Sequence, residues 1–143
     1  MRKRTGLLLH FLVKKCFKMT DDVKRFFQNM LQRVSGLRCV MVTDRDGVPL
    51  VNLEKEKLSE IVMKPAFLST FTLAAEQSNK LGLGKNRNII SVYADCIVIQ
   101  MNKLPFVVTF IGTENCLNIG LILAMDQQID TMLEELKTAV ADS

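Results

Sequence analysis

The sequence predicts an α+β domain of order α-β-β-α-β-β-β-α, with five antiparallel strands and helices on both faces of the sheet. Three observations carry this reading. Apolar stripes of helical period lie near both ends of the domain, over 23–34 and 122–140. An Asp-Gly pair separates two short apolar runs, 37–43 and 48–53, as in a β-hairpin. Three nearly continuous apolar runs between 89 and 111 follow one another across short polar breaks, the pattern of strands covered on both faces.

The first helix starts at Thr20-Asp21-Asp22, where Thr20 can cap and two acids meet the positive end of the helix dipole. Val23, Phe26, Phe27, Met30, Leu31 and Val34 form its apolar stripe, and Ser35-Gly36 ends it. Leu37–Thr43 reads as a strand. Asp44-Arg45-Asp46-Gly47 is the turn, because Asp and Gly tolerate the positive φ such turns need. A calcium loop on Asp44 and Asp46 would need more oxygen ligands and a Glu at its twelfth position, which the sequence does not supply. Val48–Leu53 is the second strand, placed at a sheet edge because Pro49 has no N–H to donate.

Glu54–Met63 is charged and irregular. Pro65 then opens a helix expected to run to about residue 83. Phe67, Phe71, Ala74, Ser78 and Leu81 fall on one face of it. Leu68, Ala75 and Leu83 fall on another, with Leu73 beside them. A surface helix needs one apolar stripe, so one with two is held between two surfaces. In a domain this small, a second protein is the expected outer cover. Ile89–Ala94, Cys96–Met101 and Phe106–Ile111 are three strands joined by short turns, so sequential strands pair as hairpins. Asn118 can cap a last helix reaching Val140, with Ile122, Met125, Ile129, Met132, Leu133, Leu136 and Val140 as its stripe.

The chain has 143 residues, 48% hydrophobic and 24% charged, enough for one globular domain. No apolar run approaches the roughly 18–20 residues of a membrane span. The net charge of +4 is uneven: residues 1–18 hold six bases and no acid, leaving 13 bases and 15 acids for 19–143. A nucleic-acid partner would need a basic face on the domain, and the sequence gives no support for one. Residues 1–18 are expected to lie outside the fold, and 19–143 to form the domain. The tail, MRKRTGLLLHFLVKKCFK, has the outline of a short signal peptide, but His10 breaks its apolar stretch and no cleavage site follows. An interfacial anchor is a second reading, and plain upstream sequence before a start at Met19 is the third.

Enzyme chemistry finds few supports. His10, the only histidine, lies in the tail, so no Ser or Cys of the domain has a histidine base. Cys16, Cys39, Cys96 and Cys116 are scattered without a Cys-x-x-Cys pair, which argues against a zinc or redox motif and for a reducing compartment. Gly82-Leu83-Gly84-Lys85-Asn86 lacks both the first glycine and the final hydroxyl of a phosphate loop, and reads as a helix end and turn. No catalytic residue, metal site or cofactor is expected.

The informative residues are those of the two-faced helix and the strand after it. An open edge strand offers unpaired N–H and C=O groups to a partner's strand. Pairing Ile89, Ile90, Ser91, Val92 and Tyr93 with the matching strand of a sibling domain would join two sheets. Across the join, Phe67, Phe71 and Leu81 would be buried, and Ala74, Ala75 and Ser78 would allow the helices to approach closely.

Element order and three stretches, DRDGVPL at 44–50, PAFLSTFTLAAEQSNKLGLGKNRNII at 65–90 and LPFVVTF at 104–110, resemble the roadblock (dynein light chain) family. Most closely they resemble the MEK-partner subunits of the Ragulator complex, whose usual beginning MTDDVKRF at 19–26 also matches. The resemblance covers about 19–143, and the 1–18 extension is its main departure. It implies a roadblock-like fold and a non-enzymatic scaffold that forms a heterodimer with a second roadblock subunit through the second helix and third strand. It further implies a lipidated anchoring subunit and other Ragulator subunits, the Rag GTPases, and the MEK and ERK kinases as partners. The place would be the cytosolic face of late endosomes and lysosomes, with membrane contact only indirect. The alternative is a roadblock-type homodimeric regulator of a small GTPase, for which Arg45 on its turn is the candidate group to meet a phosphate.

Overall fold

In a computed structural model of the chain, residues 20–55, 57, 64–114 and 117–141 are described. The readings of the tail, of most of 54–63, and of Cys16 and Cys116 lie outside these residues. Helix α1 spans 20–33, with Thr20 already inside it. There follow β1 (Leu37–Thr43), β2 (Pro49–Glu54), α2 (Pro65–Asn79), β3 (Asn88–Val92), β4 (Ile97–Lys103), β5 (Phe106–Gly112), α3 (Ile119–Ala124) and α4 (Asp126–Ala141). The strands form one antiparallel sheet in the order β2-β1-β5-β4-β3, so the expected α+β class holds, and with it the element order up to the last helix. Hairpins join β1–β2, β3–β4 and β4–β5, and the non-local β1–β5 pair closes the sheet.

Alternation along the strands divides the core in two. Val40, Val42, Ile99, Met101, Val108 and Phe110 point to the face covered by α1, α3 and α4. There they meet Val23, Phe27 and Met30 of α1, Ile122 of α3, and Ile129, Leu133 and Leu136 of α4. Phe27 packs edge-on against Phe110 at 6.2 Å. Cys39, Met41, Val98 and Ile111 point to the other face, where Leu68 of α2 lies on them. Phe71 and Ala75 continue this seam onto Val107 and Ile89. β5 is buried along all seven residues, as its nearly continuous apolar run over 106–111 predicts.

Three local expectations are corrected. The β1–β2 turn is closed by the Gly47 N–H on the Asp44 carbonyl at 3.2 Å, and only Gly47, at φ 85°, is left-handed. Asp46 is not. Asp44 instead uses its side chain, whose Oδ1 accepts from Asp46 N–H and Val48 N–H, both at 2.9 Å. Gly47 is also a close approach: a Cβ there would meet the Pro65 carbonyl oxygen at 2.6 Å, so the turn seats the start of α2. Second, α2 stops at Asn79 and not near 83, because left-handed Gly82 and Gly84 follow and the Asn79 side chain turns to bond Asn86 N–H. Third, the last helix is two. Asn118 caps as expected, its Oδ1 accepting from Leu121 N–H at 3.0 Å. The ladder then breaks at Met125, whose N–H reaches only to Ile122, three residues back.

Candidate partner interface

β3 is a free edge of the sheet. Tyr93 N–H bonds to the Cys96 carbonyl at 2.8 Å, and Asn102 N–H to the Arg87 carbonyl at 2.8 Å. Antiparallel ladders alternate, so Arg87, Ile89, Ser91 and Tyr93 turn their backbone groups to β4. Asn88, Ile90 and Val92 therefore turn theirs outward, an open ladder with nothing beside it among the described residues. Ile90 and Val92 also carry exposed side chains, Val92 at 68%, and Tyr93 is half-exposed at the strand's end. Ile90 and Val92 lie across from Ile99 and Ile97, so they point to the α1/α4 face. Ile89 and Ser91 point to the α2 face and are half-buried.

On α2 the residues expected at the interface separate into two groups. Phe71, 2% exposed, and Ala75 are buried against their own sheet. Half-buried Phe67 lies along Cys96 and the Val98 cluster, and with exposed Ala74 and half-buried Ser78 it makes the flank of the helix on the β3 side. The opposite flank is tied to the β1–β2 turn. There Thr72 Oγ1 donates to the Arg45 carbonyl at 2.9 Å, and Arg45 Nη2 meets Glu76 Oε1 at 3.1 Å. Leu81, expected on the helix face, stands beyond its end on the α2–β3 loop.

The structure therefore brings Phe67, Ala74, Ser78, Ile89, Ile90, Ser91, Val92 and Tyr93 to one edge of the molecule, and leaves Phe71, Ala75 and Leu81 out of that surface. Sequence periodicity missed the inward turn of Phe71 and Ala75 because apolar residues on two helix faces do not say which face meets the chain's own sheet. It also missed Arg45–Glu76, which spans 31 positions. The thiol of Cys96, at the β3–β4 turn, is pushed up by burial and by Asp95, against a smaller opposite effect of Arg38.

The description "Mitogen-activated protein kinase kinase 1 interacting" matches residues 21–140. The chain belongs to that family. The Ragulator complex protein LAMTOR3 homolog of Drosophila melanogaster is 50% identical over 125 residues, 87% of this chain and the whole of that protein. Ragulator complex protein LAMTOR3-B of Xenopus laevis is 43% identical over 122 residues, 85% of this chain and 98% of its own. Members of the mitogen-activated protein kinase kinase 1 interacting family are non-enzymatic adaptors. Solved structures give the fold. Gliding protein MglB of Thermus thermophilus matches at TM-score 0.64 and 12% identity, over 90% of this chain and 93% of that one. A roadblock/LC7 domain from Streptomyces avermitilis matches at TM-score 0.54 and 10% identity, over 80% and 91%. The family expected from 44–50, 65–90 and 104–110 is the one found, and its fold is roadblock-like.

Proposed function

We propose that this chain is a scaffold subunit of the Ragulator complex, paired with a second roadblock subunit along β3 and the adjoining flank of α2. In that role it links MEK and ERK kinase signalling and Rag GTPase signalling to the cytosolic face of late endosomes and lysosomes. A lipidated companion subunit holds the assembly on the membrane. The names of the relatives support the complex and the kinase, and one observation carries the pairing: the outward ladder of Asn88, Ile90 and Val92 on a free edge flanked by exposed apolar side chains. Scaffolding works by effective concentration and needs no bond chemistry, so a binding surface suffices for it.

The interface residues are Phe67, Ala74, Ser78, Ile89, Ile90, Ser91, Val92 and Tyr93. Phe71 and Ala75 support them from beneath, and Leu81, on the loop beyond α2, lies outside the pairing surface. A Phe71→Asp change would strike the chain's own core, so lost pairing would not be diagnostic. Ile90→Pro is the sharper test. It removes an N–H that points away from β4, so the chain's own ladder stays intact while the open one is blocked. Light scattering of the chain mixed with a roadblock partner should show a heterodimer for the native chain and two monomers for Ile90→Pro, with the variant's melting temperature within a few degrees. Full pairing by Ile90→Pro would reject the β3 interface.

A further inference from the structure

We propose that the α2–β3 loop, residues 80–87, is a membrane-contacting finger. Its two leucines enter the headgroup layer of an anionic bilayer while Lys80, Lys85 and Arg87 meet the lipid phosphates. Leu83 is 86% exposed and Leu81 69%, more than any other large apolar side chain among the described residues. Isolated exposed leucines are ordinary. Two of them on one pinned projection are not.

The projection is built, not frayed. Lys80 N–H and Leu81 N–H fold back onto the Gln77 and Ser78 carbonyls at 3.2 and 3.1 Å. Asn86 N–H then donates to Asn79 Oδ1 at 2.6 Å and closes the base of the loop. Between these ties Gly82 and Gly84 take φ of 74° and 88° and turn the chain tightly at its tip. A Cβ added at either glycine would meet nothing within 4 Å, so the tip stands in open space.

Charge decides which partner fits. From Gln77 to Ala94 the chain holds Lys80, Lys85 and Arg87 and no acid. Arg87 meets Asp126 at 3.5 Å, and its side chain is 79% exposed. A convex apolar tip with a basic collar suits a deformable anionic surface. A protein partner would need a matched pocket with an acidic rim. Two leucines and three cations give reversible contact, short of stable anchoring, so the loop would orient a complex already held at the membrane by other means. The inference stands apart from the pairing along β3, which it neither needs nor supports.

The chain has no tryptophan, so Leu83→Trp places a single reporter on the tip. With vesicles of phosphatidylcholine and phosphatidylserine its emission should shift to the blue and be quenched by brominated acyl chains, with little change on phosphatidylcholine alone. An unshifted spectrum overturns the proposal. Sedimentation of the full-length chain with the same anionic vesicles gives the second reading, with residues 1–18 present in every variant. Leu81→Ser with Leu83→Ser should weaken binding by about tenfold or more, and Lys80→Glu with Lys85→Glu should abolish the preference for phosphatidylserine, with melting temperatures unchanged. Native-like sedimentation of both variants overturns it. So does loss of roadblock pairing in the leucine variant with sedimentation intact, because the tip would then belong to a protein interface.

Discussion

Cys39 sits in β1 with no solvent contact, and its Sγ–H lies 3.9 Å from Asn52 Oδ1, too long for a strong bond. Burial pushes its thiol up to about 12, and the nearby Glu54 carboxylate adds to the effect. The thiolate is the nucleophile, so this cysteine is inert in the folded chain. Peptide-resolved alkylation near neutral pH should leave Cys39 unmodified until guanidinium is added. The same shift carries a pH dependence. Below the ordinary thiol value of 9.0 both folded and unfolded chains hold the proton, and this group changes nothing. Between 9.0 and about 12 only the unfolded chain releases it, so folding stability falls as pH rises, by up to about 1.4 kcal/mol per pH unit from this group. Cys39→Ala removes that loss. Its stability deficit against the native chain should therefore shrink above pH 9 in urea titrations, and a constant deficit would contradict the assignment.

The break between α3 and α4 lies beside a contact between elements. Neither Gly nor Pro lies in 121–130, so propensity favours a continuous helix, as the sequence reading expected. Lys103, at the end of β4, ties down the start of α4 just after the break. Its side chain is 9% exposed, and its Nζ meets Asp126 at the start of α4 and Asp130 one turn on, the latter at 2.7 Å. Asp126 also lies at the positive end of the α4 dipole. Lys103→Met keeps the volume and takes the nearly buried cation from Asp130, which is half-exposed, and from Asp126, which keeps only Arg87 at 3.5 Å. It should cost about 1–3 kcal/mol in urea unfolding, with early amide exchange confined to the α3–α4 junction. Replacing all three residues by neutral groups should restore part of that loss. The contrast shows what a sequence makes legible. Amphipathic stripes, the Asp44–Gly47 turn and the Asn118 cap are local, and the structure holds them. The end of α2 is legible in Gly82 and Gly84, and the sequence reading sets it too late, whereas the β1–β5 pairing and the inward turn of Phe71 depend on residues far apart in the chain, which no window of sequence compares.

Taken whole, the molecule is lopsided. The face under α1, α3 and α4 is a continuous apolar layer with Phe27, Phe110, Ile122 and Ile129 fully buried. The α2 face is thinner, and polar side chains interrupt it. Gln100 lies opposite Thr109, and Thr43 opposite Val107, all turned to the α2 side by strand alternation. Thr43 Oγ1, Gln100 Nε2 and Thr109 Oγ1 are buried there without a hydrogen-bond partner, whereas Asn88 Oδ1, across from Met101 at the sheet edge, is the one strand side chain left so on the other face among the described residues. α2 adds little stability of its own. It has no side-chain N-cap bond, no acid in its first turn and no base in its last, and it buries only Leu68, Phe71 and Ala75. An element so weakly held opens locally at a lower free energy than the central strands. A partner lying on its β3 flank would stabilise it by mass action, since the open form cannot bind. Hydrogen exchange of the isolated chain should therefore show α2 and β3 exchanging well before β1 and β5. Adding a roadblock partner should slow α2 and β3 by tenfold or more and leave β1 and β5 nearly unchanged. Uniform slowing across the sheet would mean that pairing acts on the whole fold, and α2 would lose its place as the element that binding completes.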